Sequence, residues 1–208
     1  MPAQPIQTEA FVLARRPAAG AFQAFSLFSP EHGSMLALQR NSGKQAAGHV
    51  PLDIFDEASL AMESSNQGRT WFVREARLLR RAGGIGQSYE ALRAASHFSA
   101  MIARNPVEAE GRPKVANLLR TVFAALGSGA SPQAVLFKGV YRFALEEGYP
   151  VKQQWLPSLP PALRAQAETV LRTALAALPA AAIPESALTG LQRRLEEYLR
   201  ANTEILLD

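Results

Sequence analysis

The sequence predicts an α+β protein in two parts, a five-stranded β-barrel over residues 1–82 and an all-α domain over 83–208. Three observations lead there. Up to about residue 80, apolar residues alternate with small or polar ones in short runs bounded by turn residues. The cluster Gly83-Gly84-Ile85-Gly86 then breaks that pattern. From Ser88 onward, apolar residues recur at three- and four-residue spacing instead.

The strands are read in order. Thr8 to Arg15 alternates, placing Phe11 and Leu13 on one face and Ala10 and Val12 on the other. Phe22 to Phe28 follows, and Ser29-Pro30-Glu31-His32-Gly33 supplies the turn residues that lead into Met35 to Gln39. Asn41 to Pro51 is polar and reads as a loop. Leu52 to Glu63 is the fourth strand, Ser65 to Gly68 a hairpin turn, and Thr70 to Leu79 the fifth strand. Five short strands in about seventy residues suit a small barrel of the oligonucleotide-binding (OB) kind.

In the second part, Ser88 caps a helix running to about Arg104, with Tyr89, Leu92, Phe98 and Ile102 inward. Pro113 opens a helix that Gly127 ends, and Ser131-Pro132 opens one that Gly148 stops. The interior of the latter, VLFKGVYRFAL, is apolar nearly all round, which marks a central, buried helix. Pro161 to Leu178 and Glu185 to about Leu206 supply two more. The glycine cluster lacks the Lys-Ser/Thr and the βαβ setting of a phosphate loop, so it reads as a flexible link.

Composition excludes several classes of function. The 208 residues are 48% apolar and 19% charged, a folded globular chain rather than a disordered one. Without cysteine there is no disulfide, thiolate nucleophile or cysteine-based zinc site. No apolar run approaches the ~20 residues of a membrane-spanning helix, and MPAQPIQTE lacks the pattern of a signal peptide. The expectation is a cytoplasmic protein with no membrane association. His32, His49 and His97 share no metal-ligand spacing, and neither a nucleophile elbow nor a P-loop occurs. Glu146-Glu147 and Glu196-Glu197 are helix neighbours whose side chains diverge. The expectation is no enzyme, no cofactor and no metal.

The net charge is +4, and most of the bases are arginine, the residue suited to bidentate phosphate contacts. In the barrel half, nine bases and seven acids leave +2. Arg15 and Arg16 end the first strand, Arg40 and Lys44 flank the loop after the third, and Arg69 precedes the fifth. Arg74, Arg77, Arg80 and Arg81 crowd the fifth strand's end. OB barrels bind single strands across strands two and three and the adjoining loops, combining cations with stacked aromatics. These nine bases are therefore the predicted DNA contacts; for the last four, a solvated strand end is the competing reading. Phe22, Phe25, Phe28, Trp71 and Phe72 are core candidates. Trp71 and Phe72 are consecutive, so one of them must lie outside the barrel, against a base or against other protein.

These words in this order resemble a known family. TEAFVLARRP, then LFSPEHG and the short apolar strand after it, resemble the N-terminal barrel of the RecO family of bacterial recombination mediators. The positions carrying the likeness are Glu9, Val12 and Leu13, then Leu27, Phe28, Ser29, Glu31 and Gly33. YEALRAASHFSAMI is similar to that family's first long helix, and ALEEGYP (Ala144 to Pro150) to its leucine-rich helix ending in Gly-Tyr. The resemblance implies an OB barrel joined to a helical domain and binding to single- and double-stranded DNA. It also implies annealing of complementary strands and contact with single-strand-binding protein and with a RecR-like partner.

Two departures qualify it. The loop RNSGKQAAGH keeps only Arg40 and Lys44 where the family is strongly basic. Trp155 and Ser158 stand about where the first cysteine pair of the family's zinc site would be. A rival expectation is an adaptor binding the acidic tail of single-strand-binding protein through its helices. Lys138 and Arg142 would then sit at the mouth of the partner groove, unless they serve the structure through a salt bridge to Glu146.

Overall fold

A computed structural model describes residues 4–41, 50–64, 68–177 and 183–207. The chain divides into two compact units, one of residues 1–81 with 106–116, the other of 82–105 with 117–208. An N-terminal sheet and a C-terminal set of helices give the α+β layout that the two hydrophobic periods predict.

The first unit holds β1 (Gln4–Ala19), β2 (Phe22–Ser29), β3 (Gly33–Arg40), β4 (Glu57–Ser64) and β5 (Trp71–Arg80), closed in the order β1-β2-β3-β5-β4. β1 is the longest strand because it serves two neighbours. Its first half pairs with β4, from Gln4 opposite Ser64 to Phe11 opposite Glu57, and its second half pairs with β2. All pairings are antiparallel except β3 with β5, which run parallel over Ala37–Trp71 and Leu38–Phe72. Inward side chains fill the barrel: Ala10, Val12, Phe25, Leu27, Ala37, Leu60, Met62, Trp71 and Val73 are among the residues of one buried cluster. Alternation puts Phe11 and Phe28 on the opposite face, where they face each other across β1 and β2 and are also buried.

The turn between β2 and β3 explains the SPEHG phrase. The hydroxyl of Ser29 accepts from the backbone N–H of Glu31 (3.1 Å) and His32 (3.2 Å), and it lies 2.7 Å from the hydroxyl of Thr8. Gly33 closes the turn at φ +72°, a conformation costly for any residue with a Cβ. Arg112 lies against it, its guanidinium donating to the carbonyls of Val107 (3.1 Å) and Glu31 (3.0 Å). This contact ties residues 106–116 to the barrel unit.

Leu52–Asp56 is not the beginning of β4, as alternation predicts, but a separate pinned segment. Two carboxylates bend it: Asp56 Oδ2 accepts from the Asp53 N–H (3.0 Å) and Asp53 Oδ1 from the Ile54 N–H (2.8 Å). Phe55 sits at φ +67°, held there because its N–H donates to Val12 O (2.8 Å) while the Val12 N–H donates to Asp56 O (2.8 Å). Gln39, buried at the end of β3, donates to Val50 O and accepts from the Leu52 N–H. Most of the expected turn at residues 65–68 and the loop at 42–49 lie outside the described residues.

The second unit is helical. α1 (Tyr89–Arg104) begins at Ser88, whose hydroxyl accepts from Ala91 N–H (3.3 Å). α2 (Arg112–Gly127) lends its first residues to the first unit. α3 (Pro132–Glu146) starts at the Ser131 cap and ends where Gly148, at φ +84°, lets the Tyr149 N–H reach the Ala144 carbonyl (3.0 Å). α3 is the central helix: Phe137, Val140, Phe143 and Ala144 are fully buried. A Cβ at Gly139 would come within 3.1 Å of the Phe98 ring, so the glycine permits α3 to press against α1.

After α3 the chain makes a π-helical turn over Val151–Trp155 that runs into the short α4 (Leu156–Ser158), followed by α5 (Pro161–Arg172) and α6 (Glu185–Asn202). Trp155 is buried against Phe137 and Tyr141, with its indole N–H donating to Arg194 O (3.3 Å). Tyr89, expected inward, is 71% exposed because it is the first residue of α1, ahead of that helix's buried stripe. Within the Gly83–Gly86 cluster, Gly84 and Ile85 are packed, while Gly83 and Gly86 are exposed. Ile85 is buried, and a Cβ at Gly84 would fall 2.1 Å from the Gly127 carbonyl oxygen. Among the described residues, no helix is long and apolar enough to cross a membrane.

Candidate nucleic-acid interface

The strand registers assemble one outward row. Arg16 lies opposite Ala24, Ala24 opposite Leu38, and Leu38 opposite Phe72, a line across β1, β2, β3 and β5. Directly paired residues point to the same side, so these four share the outer face. In the next row Phe22 lies opposite Arg40. The rings of Phe22 and Phe72 meet edge to face, 5.6 Å apart at 75°. Both are half-buried, as are Leu36 and Leu38, while Arg16 and Arg40 are exposed. The result is an aromatic pair on an apolar bed, with Arg40 directly opposite Phe22 and Arg16 at the far end of the row that Phe72 closes.

Alternation settles the Trp71–Phe72 alternative. Trp71 and Val73 are members of the barrel's buried cluster, and Phe72 takes the outer face. Of the other aromatics, Phe25 fills the barrel interior and Phe28 is buried on the opposite face.

The nine predicted DNA contacts separate into distinct groups. Arg16 and Arg40 stand on the aromatic face. Arg16 uses its Nε–H on the Ser26 hydroxyl (2.6 Å), while the Gln23 amide donates to the Arg16 carbonyl and so holds the strand end. Arg16 is exposed, and a guanidinium has four N–H groups beyond the one given to Ser26. Arg15, opposite the inward Phe25, leans to the other side of the ribbon. Arg69 is exposed ahead of β5, and Arg77 is exposed on β5 opposite Ser59, away from the aromatic row. Lys44 lies outside the described residues.

The remaining three bases are engaged by acids. Arg74 meets Glu63 (2.9 Å) and Arg80 meets Glu57 (3.3 Å). Arg81 grips Asp56 with two N–H groups (3.3 and 3.1 Å) and donates to Pro51 O (3.2 Å). Asp56 is only 1% exposed, and its hydrogen bond and charge raise the Arg81 pKa further above its ordinary value. The arginine-rich end of β5 is thus largely a structural clamp on β4 and the segment before it. A phosphate arriving there would compete with these carboxylates for Arg74, Arg80 and Arg81. Among the described residues, Arg15, Arg16, Arg40, Arg69 and Arg77 have no acidic partner.

In the helical unit, Lys138 does not stand at a groove mouth. It is 6% exposed, and its ammonium donates to the carbonyls of Val170 (3.2 Å) and Thr173 at the C-terminal end of α5. It serves as an internal cap for the carbonyls that a helix end leaves unpaired. Burial, with the neighbouring charge of Arg142 second, pushes its pKa down. Arg142 is exposed. His32 lies in the β2–β3 turn, its ring 6.5 Å from that of Trp71, and His97 lies on α1. His49 lies outside the described residues. Among the described residues no three His, Asp or Glu side chains gather as a metal site would need.

Sequence reasoning missed the Phe22–Phe72 pair and the acid partners of the β5 arginines. A signal for the first was present: Trp71 and Val73 are apolar at i and i+2, whereas Phe72 shares its side with Arg74. The second depends on the β4–β5 register, which places Glu57 opposite Arg80, and no local pattern carries that. No family model matches the chain, and no curated protein matches it.

Proposed function

We propose that the first unit is an OB barrel and that the protein is a non-enzymatic, RecO-like DNA-binding protein of recombinational repair. The observation that carries this reading is the outward Phe22–Phe72 pair flanked by Arg16 and Arg40. Bases offer their flat faces to aromatic rings whatever their sequence, and guanidinium groups beside the rings track the phosphates. The strand order, with β3 parallel to β5, supports the OB assignment, and the aromatic face spans β2 and β3, where such barrels bind. Neutralising two complementary strands on one such surface would promote their annealing without bond chemistry. Duplex DNA, single-strand-binding protein and a RecR-like partner rest on the sequence resemblance. The adaptor alternative is weaker, because Lys138 is committed to α5 and only Arg142 of its two cations remains exposed.

The test is fluorescence anisotropy of a labelled single-stranded oligonucleotide titrated with the protein at several salt concentrations. Binding should weaken linearly in log–log form, and Arg16→Ala and Arg40→Ala should each reduce the slope by about 0.7. Absence of binding at 50 mM salt would overturn the proposal.

A further inference from the structure

The helical unit contains a pocket of about 190 Å³ between α1, the start of α3 and α6. An engineered apolar cavity of about 150 Å³ holds benzene, so this volume suits one side chain or a fragment of similar size. Ala94, Pro132 and Leu136 supply apolar wall, and His97, Gln192 and Glu196 supply the polar part.

Those three polar groups have an unusual balance. The Gln192 amide donates to Glu196 Oε1 (2.6 Å), and since a carboxylate only accepts, this fixes which amide atom is nitrogen. Gln192 Oε1 is therefore left buried without a donor. His97 Nε2 is also buried and without a hydrogen bond, 3.8 Å from Glu196 Oε1. The pocket thus presents the Gln192 carbonyl oxygen and the Glu196 carboxylate as acceptors, with His97 Nε2 a third when the ring proton lies on Nδ1; the donors in the lining are Arg93 and the amides of Gln133 and Gln192. A buried acceptor left unmatched costs about 1–3 kcal/mol, so a donor-rich guest is favoured. The opposite charges of Glu90 and Arg93 add no net field, and Arg200 Nη2 lies 3.7 Å from Glu196 Oε2, so a guest shares that carboxylate with a guanidinium.

We propose that this pocket is a binding site for a primary ammonium on an unbranched aliphatic stem. An ammonium carries three donors and no acceptor, matching His97 Nε2, Gln192 Oε1 and Glu196, while its methylenes lie along Ala94, Pro132 and Leu136. The group can come from a lysine side chain of a partner polypeptide or from a free diamine. The site is independent of the barrel face.

NMR titration of the full chain tests this, following the side-chain amide of Gln192 and the imidazole of His97. The probes are Nα-acetyl-lysine N-methylamide, its Nε-acetylated counterpart and 1,5-diaminopentane. The lysine amide should give saturable shifts that the Nε-acetylated compound does not. If 1,5-diaminopentane saturates the same signals, free diamines are ligands as well; if it does not, the ammonium is read on a peptide. Glu196→Gln should weaken binding about tenfold, and Ala94→Leu, which fills the wall without touching the polar groups, should abolish it. A wild-type protein showing no saturable shift has water alone in the pocket, and the proposal fails. It fails equally if both lysine compounds bind alike, or if neither variant changes the titration.

Discussion

At the scale of single residues, Trp71 and Phe72 are neighbours in the chain with opposite roles. Trp71 is barrel core, so its loss would remove buried area and leave a cavity. Phe72 is half-buried on the outer face, and its substitution should act mainly on ligand binding. Phe72→Ala is expected to lower single-strand affinity by about 1–3 kcal/mol, the range for one base–aromatic stack, with a small change in melting temperature. Paired anisotropy and thermal denaturation would measure both. Lys138 is the inverse case, a cation with a structural task. Lys138→Ala orphans the carbonyls of Val170 and Thr173 and should destabilise the fold by about 1–3 kcal/mol in urea titrations, without changing DNA affinity. Its folded-state pKa lies below the ordinary lysine value of 10.5, so the unfolded chain binds more protons between the two. Stability should therefore rise with pH through that alkaline window in the wild type relative to Lys138→Met.

At the scale of elements, the β2–β3 turn and the β5 clamp carry the tightest local constraints. Gly33 combines a positive φ with an Arg112 Nε that would stand 3.0 Å from a Cβ. Gly33→Ala should cost about 1 kcal/mol or more, measurable by denaturant unfolding. Gly84 is constrained by contact alone, since a Cβ there collides with the Gly127 carbonyl, and Gly84→Ala should destabilise the helical unit for that reason. The same elements mark where sequence reading succeeds and fails. Ser88, Ser131, Gly127 and Gly148 delimit helices by local chemistry, so α1, α2 and α3 were legible within a residue or two. Residues 52–56 were not, because Leu52 and the following residues satisfy strand alternation while distant partners, Val12 and Gln39, hold them otherwise.

At the scale of the whole molecule, net charge is a poor guide to where cations are available. Three of the four arginines at the end of the barrel unit's last strand are matched by Glu63, Glu57 and Asp56. Arg81→Gln should therefore lower stability by about 1–3 kcal/mol, since it deprives a buried carboxylate of its partner, and leave the salt dependence of DNA binding unchanged. The strand count, the helical half and the basic character of the chain could be read from composition and period. The face that gathers Phe22, Phe72, Arg16 and Arg40 could not, because it joins residues from four strands through registers that only the closed barrel defines.

The proposed function places single-stranded DNA on this aromatic face rather than on the arginine-rich end of β5. It is tested most directly by comparing the double variant Phe22→Ala/Phe72→Ala with Arg77→Gln/Arg80→Gln in one anisotropy experiment on a labelled oligothymidylate at low salt. A large loss of affinity, on the order of a hundredfold, is expected for the phenylalanine variant and little change for the arginine variant. Full binding by a folded phenylalanine variant, with binding lost in the arginine variant, would contradict it.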